Sequence, residues 1–237
     1  MIYFLTYGDD GFKNSKMRIR EEAVGFGLFD DIKIYNREDM SSGFLEKTYP
    51  YINIRGGFWL WKSFFLKKTF ENMKENDYCI YLDAGCTINP NGKDRFLEYL
   101  NMLNDESGIL SFKLEWSEEQ YTAEKVLRFF NADNRLRKES QLMSTIIILR
   151  KCDNTINLID KYYDIAINET HLFSDIYNND VDNCSDFIDH RYDQSVFSLL
   201  RKKYKTFEIY DETYSADNWD DLIYNKKIPF LSTKIRG

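Results

Sequence analysis

The chain has 237 residues, 43% of them hydrophobic and 16% aromatic, which suits one domain with one sizeable core and supplies large rings to fill it or line a cleft. With 39 acidic against 32 basic residues the formal net charge is -7, which argues against a general nucleic-acid binder, because such proteins neutralise phosphates with a positive surface. No basic leader precedes the first apolar residues and no apolar run reaches membrane-spanning length, so the expectation is a cytoplasmic protein with at most peripheral membrane contact.

Ile2 to Tyr7 reads as a first strand, stopped sharply by Gly8-Asp9-Asp10-Gly11. A helix is expected over about 15–25, with Met17, Ile19 and Ala23 as its less polar positions, then a second strand over 29–35. Strand, loop, helix, strand is the opening of a nucleotide-binding α/β unit. It sets the loop from Thr6 to Asp10 at the ligand crevice, where Tyr7 either faces a base or packs in the core. A helical turn over 43–47 and a break at Pro50 lead to Arg55-Gly56-Gly57, after which the aromatic run from Phe58 opens a helix to about residue 74. Phe64 and Phe65 read as core. Trp59 and Lys62, three apart on one helical face just after a double glycine, are placed to offer a ring and a cation to a substrate.

Tyr78 to Leu82 has the length and composition of a buried parallel strand, and Asp83, Ala84 and Gly85 follow it directly, where an open α/β sheet keeps its ligands. The competing role for Asp83 is a turn or helix cap. Beyond it come a helix over 93–103, a strand over 108–112, a mobile or acceptor-facing segment over 115–130, a β-branched strand over 142–149 and a helix over 155–165. Residues 168–189 turn acidic, with Asp175, Asp180, Asp182, Asp186 and Asp189, and read as a long loop or lid. A polar cluster, His190 to Gln194, then runs into an amphipathic helix with Val196, Leu199 and Leu200 on its apolar side. If that helix starts by His190, His190 and Asp193 point one way, and Asp193 gains from the unpaired amides of the first turn, either as a ligand or as a cap. A last strand over 205–210 precedes a tail that is expected to fold back over the site. The four cysteines, Cys79, Cys86, Cys152 and Cys184, have no paired spacing and read as reduced thiols.

The polar candidates thus fall after strand one, after the central strand and at the start of a late helix, which fits a cleft for a divalent ion and a diphosphate. Four segments carry a closer likeness: Thr6-Tyr7-Gly8-Asp9, Gly57-Phe58-Trp59-Leu60-Trp61-Lys62, Tyr81-Leu82-Asp83-Ala84-Gly85 and His190-Arg191-Tyr192-Asp193-Gln194-Ser195. In this order the chain resembles the small GT-A fold nucleotide-sugar glycosyltransferases of bacterial and large-virus polysaccharide synthesis. Two positions depart from that pattern: Ser63 stands where Pro usually follows Trp-Lys, and Asp83-Ala84-Gly85 lacks the second carboxylate of Asp-x-Asp.

The resemblance implies an α/β, GT-A-like single domain with a central, mostly parallel sheet flanked by helices, its nucleotide-binding half at about 1–115 and its acceptor-side half at about 116–237. It implies transfer of a sugar from a UDP-sugar donor to a glycan or glycolipid acceptor, with retention of configuration and with Mn²⁺ or Mg²⁺ offsetting the charge on the leaving group. By the same resemblance Thr6, Tyr7 and Gly8 border base and ribose, Arg18 and Lys62 serve phosphates or ribose, and Trp59 belongs to the donor site. Asp83, with Ala84 and Gly85 beside it, is the metal ligand, His190 is the second ligand, and Asp193 and Gln194 face donor sugar or acceptor as the catalytic pair. A metal-dependent nucleotide-sugar hydrolase and a non-catalytic nucleotide-binding module would use the same cleft.

Overall fold

The structure, a computed structural model, describes residues 1–104, 107–175, 183–215 and 217–235. Its strands in chain order are β1 (Ile2–Tyr7), β2 (Asp31–Tyr35), β3 (Tyr78–Leu82), β4 (Thr87–Ile88), β5 (Ile109–Ser117), β6 (Ser140–Leu142), β7 (Ile146–Arg150), β8 (Phe207–Tyr210) and β9 (Phe230–Leu231). The α-helices are α1 (Lys13–Phe26), α2 (Ser42–Thr48), α3 (Trp61–Asn72), α4 (Lys93–Met102), α5 (Glu118–Tyr121), α6 (Glu124–Phe129), α7 (Asn134–Lys138), α8 (Asp153–Asn168) and α9 (Tyr192–Lys203). Seven strands form one sheet in the order β2-β1-β3-β7-β5-β6, with β8 also on β5, and β4 pairs with β9 in a small second sheet.

The sheet is mixed. β1 runs parallel to β2 and β3, whereas β7 is antiparallel to both β3 and β5. Parallel pairing brings the carboxyl ends of β1 and β3 side by side, so Gly8 and Asp83 leave the same edge. The antiparallel β7 begins at that edge, and Asp83 N–H donates to the Thr145 carbonyl at 2.9 Å. Both faces of the sheet are covered, which is why the middle strands read as nearly unbroken apolar runs. Alternate residues serve opposite cores. Leu5, Cys79, Tyr81, Ile147 and Leu149 pack on the side of α3, α8 and α9, and Phe4, Ile80, Leu82, Ile146 and Ile148 on the side of α1 and α4. All four cysteines are free thiols.

The stretch expected as one strand over 142–149 is divided between β6 and β7, with a bend at 143–145 between them that keeps only the Met143 N–H to Phe112 and Asp83 N–H to Thr145 backbone bonds among those described. Side chains from α9 and α3 take over the backbone bonding there. Arg201, fully buried, donates to the carbonyls of Leu142 and Met143 at 3.0 and 2.6 Å and reaches the hydroxyls of Ser111 and Ser144. Leu142 N–H donates to Ser198 Oγ, and Ser144 N–H to Gln194 Oε1 at 3.1 Å. A one-dimensional apolar pattern carries no trace of these partners.

The acidic stretch 168–189 is only partly a loop. It begins with the last residue of α8 and a 3₁₀ turn at Thr170–Phe173. Asp180 and Asp182 lie outside the described residues.

Arg201→Leu takes a donor from the buried carbonyls of Leu142 and Met143 and from the Ser144 hydroxyl, and a few unmet buried groups at ~1–3 kcal/mol each put the expected loss at about 3 kcal/mol or more. Denaturant unfolding of parent and variant measures it, and a loss under about 1 kcal/mol would show that the bend at 143–145 does not depend on Arg201.

Candidate functional site

A cleft of about 520 Å³ opens at the carboxyl ends of β1 and β3. Lys62, on the first turn of α3, is only 2% exposed, because aromatic neighbours carry α3 against the sheet and bury the lysine stem beside Trp61 and Tyr81. Its ammonium lies 3.2 Å from Asp83 Oδ1 and 2.9 Å from Asp193 Oδ2, and donates to the Ser144 carbonyl at 2.9 Å. One ammonium thus sits among three oxygens, from the residue after β3, from α9 and from the bend before β7. Burial pulls the Lys62 pKa down, but the carboxylates of Asp193 and Asp83 more than offset this, so the net direction is upward and the lysine stays charged. Asp193 is held less firmly in its ionised form. Burial pushes its pKa up, Lys62 opposes, and Asp83 nearby adds to the rise, leaving it at about 6.

Asp83 Oδ1 also accepts from the Tyr81 hydroxyl, while Oδ2 has no protein partner among the described residues. That leaves one unclaimed carboxylate oxygen at the cleft. Magnesium is commonly held by one or two carboxylates together with substrate phosphates, so Asp83 fits a divalent ion of this kind. His190 does not fit. Helix α9 starts at Tyr192, not at His190, and the imidazole is fully buried. Its Nδ1 accepts from Ala123 N–H at 3.3 Å and its Nε2–H donates to the Leu172 carbonyl at 2.9 Å. Both nitrogens are committed to backbone, and the second-ligand expectation for His190 is corrected accordingly.

Other expected positions divide in the same way. Tyr7 and Gly8 line the cleft, as do Ala84 and Gly85. The Tyr7 ring, however, is sandwiched against Trp61 and Phe65 at 4.3 and 5.1 Å, and burial pushes its hydroxyl up to about 12. Thr6 is fully buried off the wall, and its hydroxyl finds no partner among the described residues. Arg18 is also off the wall. Its guanidinium donates to the carbonyls of Ala84 and Cys86 at 3.0 and 2.8 Å and to Glu22 at 2.6 Å, so it braces the loop after β3 instead of meeting a phosphate. Gln194 borders the cleft, yet its amide is spent on Ser144 N–H and on Gln141 Oε1, which marks it as a positioning residue for the bend.

Trp59 and Lys62 both reach the cleft, but not from one helical face. Residues 55–59 form a left-handed turn, with φ of 46° at Arg55, 65° and 71° at Gly56 and Gly57, 48° at Phe58 and 58° at Trp59. The double glycine eases this turn, and three side-chain-bearing residues share it at about 1–2 kcal/mol each. The turn sets Trp59 flat on Tyr192, ring centroids 5.4 Å apart at 16°. Residues that no pattern singled out also border the cleft, among them Ser144, Thr145 and the tail residues Lys234 and Ile235. The tail folds back as expected: Ile235 N–H and the Thr233 hydroxyl both donate to the Gly85 carbonyl at 2.9 Å. A Cβ at Gly85 would stand 3.2 Å from Lys234 Cα, so the close approach depends on the glycine.

A glycosyltransferase involved in the glycosylation of the major capsid of PBCV-1 superposes on 99% of this chain and 96% of its own, with a TM-score of 0.52 at 11% identity. The chain has a GT-A-like fold. Mouse xyloside xylosyltransferase 1 (TM-score 0.47, 12% identity, 100% and 98% coverage) and the galactosyltransferase LgtC (0.45, 11%, 93% and 78%) align less closely. Comparison by sequence alone, with protein families and with individual curated proteins, gives no match. Within this GT-A-like fold the described residues contain no group of three or more His, Cys, Asp or Glu that would hold a metal unaided, and no described helix is long and apolar enough to cross a membrane.

The buried His190 gives a pH signature. Burial pulls its pKa down to about 3, with Lys125 acting the same way, while the unfolded chain takes up the proton near 6.5. The stabilising effect of neutral His190 is therefore complete above about pH 6.5 and lost progressively as pH falls toward 3. Unfolding free energy measured from pH 7 to 4 should carry a slope of up to about 1.4 kcal/mol per pH unit that His190→Gln flattens. An unchanged slope in the variant would mean that the imidazole is not held neutral.

Proposed function

We propose that this chain transfers a sugar from a nucleoside diphosphate, UDP in the first place, to a hydroxyl of a glycan or glycolipid. The observation that supports this reading is the ion cluster at the end of β3. Asp83 has one oxygen fixed by Lys62 and Tyr81 and the other open to the cleft, and Asp193 is fixed by the same ammonium. The GT-A-like fold supplies the general analogy.

In the reaction the bond between the sugar's anomeric carbon and the β-phosphate oxygen breaks, its electron pair leaving with the diphosphate, a bond forms from that carbon to the acceptor oxygen, and the acceptor's proton passes to the departing diphosphate and from there to solvent. Mn²⁺ or Mg²⁺ held by Asp83 Oδ2 and the diphosphate would offset charge growing on the leaving group. The chain's own part is positioning. Lys62 holds Asp83 and Asp193 fixed relative to each other, so neither carboxylate reorients as charge develops. Asp193, one wall of the cleft, accepts hydrogen bonds from the donor sugar. The first half of the chain, to about residue 115, would supply most of the nucleotide's contacts, and the second half would meet the acceptor and reach the donor through the start of α9.

A screen of UDP- and GDP-sugars with Mn²⁺, read as nucleotide release with and without a glycan, is the test. Release that a glycan accelerates is expected. Release indifferent to any glycan would make the chain a hydrolase, and binding without turnover would make it a binding module. With one protein oxygen available, Mn²⁺ alone binds weakly and UDP tightens it. Asp83→Asn should remove that coupling and abolish transfer. Asp193→Ala should slow transfer by roughly 10²-fold or more with UDP affinity nearly unchanged, and the parent rate should fall as pH drops through about 6, where Asp193 takes up a proton. Near-normal turnover of Asp193→Ala beside a lowered melting point would reduce Asp193 to a helix cap. Retention is expected, and the anomeric proton coupling of the product reads it directly.

A further inference from the structure

We infer that Arg191 receives the phosphates of the donor, an assignment that rests on the nucleotide-sugar reading above. The cations near the cleft differ in what their donors already hold. The Lys62 ammonium is already ion-paired with Asp83 and Asp193 and donates to the Ser144 carbonyl. Arg18 turns its terminal nitrogens onto Ala84, Cys86 and Glu22, away from the cleft wall, and Lys16 donates to the Gly8 carbonyl and Asn36. Lys234 carries its ammonium toward Tyr214, 5.9 Å from that ring centroid. Thus the two cations that the resemblance associates with phosphates both have their terminal nitrogens turned onto protein oxygens.

Lys234 is thus without an acceptor among the described residues but is exposed, whereas Arg191 is both unclaimed and held in place. It lines the cleft and is half-buried, and its guanidinium carbon sits 3.9 Å from the centroid of the Tyr121 ring. No carboxylate or carbonyl among the described residues accepts from that guanidinium. The backbone around it is pinned, since Arg191 N–H donates to Ser195 Oγ at 3.0 Å and to the Tyr121 carbonyl at 3.2 Å. A guanidinium stacked by its face keeps its N–H groups in the plane, pointing away from the ring, which is the fork that phosphate oxygens match in pairs. The surroundings also call for it. Asp9, Asp83, Asp189 and Asp193 border the same cleft, and an anionic ligand entering there needs a cation that is not already neutralised. The stacked, unclaimed guanidinium is therefore a preformed seat for a phosphate group.

Titration calorimetry with UDP and with inorganic pyrophosphate, with uridine binding followed by NMR, tests this on the full chain, in EDTA and with Mn²⁺. Arg191→Gln should weaken UDP and pyrophosphate by roughly 10- to 100-fold, as for a lost charge-assisted hydrogen bond, and leave uridine unchanged. Arg191→Lys, which keeps the charge without the fork, should recover part of the loss. UDP and pyrophosphate affinities of Arg191→Gln within about twofold of the parent would overturn the assignment. So would equal weakening of uridine, which would make the residue structural. If the parent binds pyrophosphate but not UDP, the uridine reading fails and Arg191 is judged on pyrophosphate alone. A parent that binds neither ends both.

Discussion

The Lys62 ammonium, buried between two carboxylates and a carbonyl, is the interaction on which the cleft depends. Each carboxylate lies about 3 Å away, a separation worth about 5 kcal/mol at an effective dielectric near 20 before desolvation is set against it. The net gain is far smaller, but the geometric consequence is large. One side chain ties the first turn of α3, the carboxyl end of β3, the first turn of α9 and the bend at 143–145. Remove the charge and Asp83 and Asp193 face each other without a cation, a loss that typically costs ~3–5 kcal/mol for a broken buried pair. The cluster also has one more carboxylate than ammonium, which leaves the cleft receptive to a further cation.

A second buried polar layer holds this first one in place. Arg201 grips the backbone of the bend, Gln194 and Gln141 bridge α9 to it, and Gln141 continues to Thr122 and the Tyr121 carbonyl. Fully buried Glu118 is met by Lys202 at 2.9 Å, by Thr122 and by Ser198, although burial still pushes its pKa up. Such networks are costly when half satisfied and rigid when complete. Here they fix Ser144, Thr145 and Asp193 to within the reach of a single lysine. The left-handed turn at 55–59 belongs to the same economy of strain. It is held by the Arg55–Asp175 pair, by Trp61 Nε1–H donating to the Gly56 carbonyl and by the stack of Trp59 on Tyr192. Strain of this sort persists where surrounding contacts over-determine the backbone, and it gathers at binding sites.

Much of the frame was legible because it rests on local pattern. The apolar runs of β1 and β3, the amphipathic faces of α4, α8 and α9, and Asp83 directly after the central strand all follow from periodicity and polarity. What could not be read was tertiary. Lys62, Asp83 and Asp193 are far apart in sequence, so nothing local shows that one lysine saturates on two aspartates, or that Arg18 turns its fork onto the back of the Asp83 loop. His190 looked like a ligand because histidine is scarce, yet backbone groups of Ala123 and Leu172 use both its nitrogens. The glycines at 56 and 57 signalled an unusual backbone without revealing that Phe58 and Trp59 continue it, since side-chain-bearing residues adopt that region only under tertiary compulsion. Arg191 lies inside the His190 to Ser195 segment, but its open fork depends on Tyr121, which is distant in sequence.

The central claim is that Asp83, held by Lys62, and Arg191, held by Tyr121, receive a nucleoside diphosphate with its divalent ion. A crystal grown with UDP and Mn²⁺, with the metal located by its anomalous scattering, tests it most directly. The account predicts one manganese peak bridging Asp83 and the diphosphate, with the Arg191 fork on a phosphate and no metal at His190. Nucleotide bound elsewhere, or manganese seated away from Asp83, would contradict it.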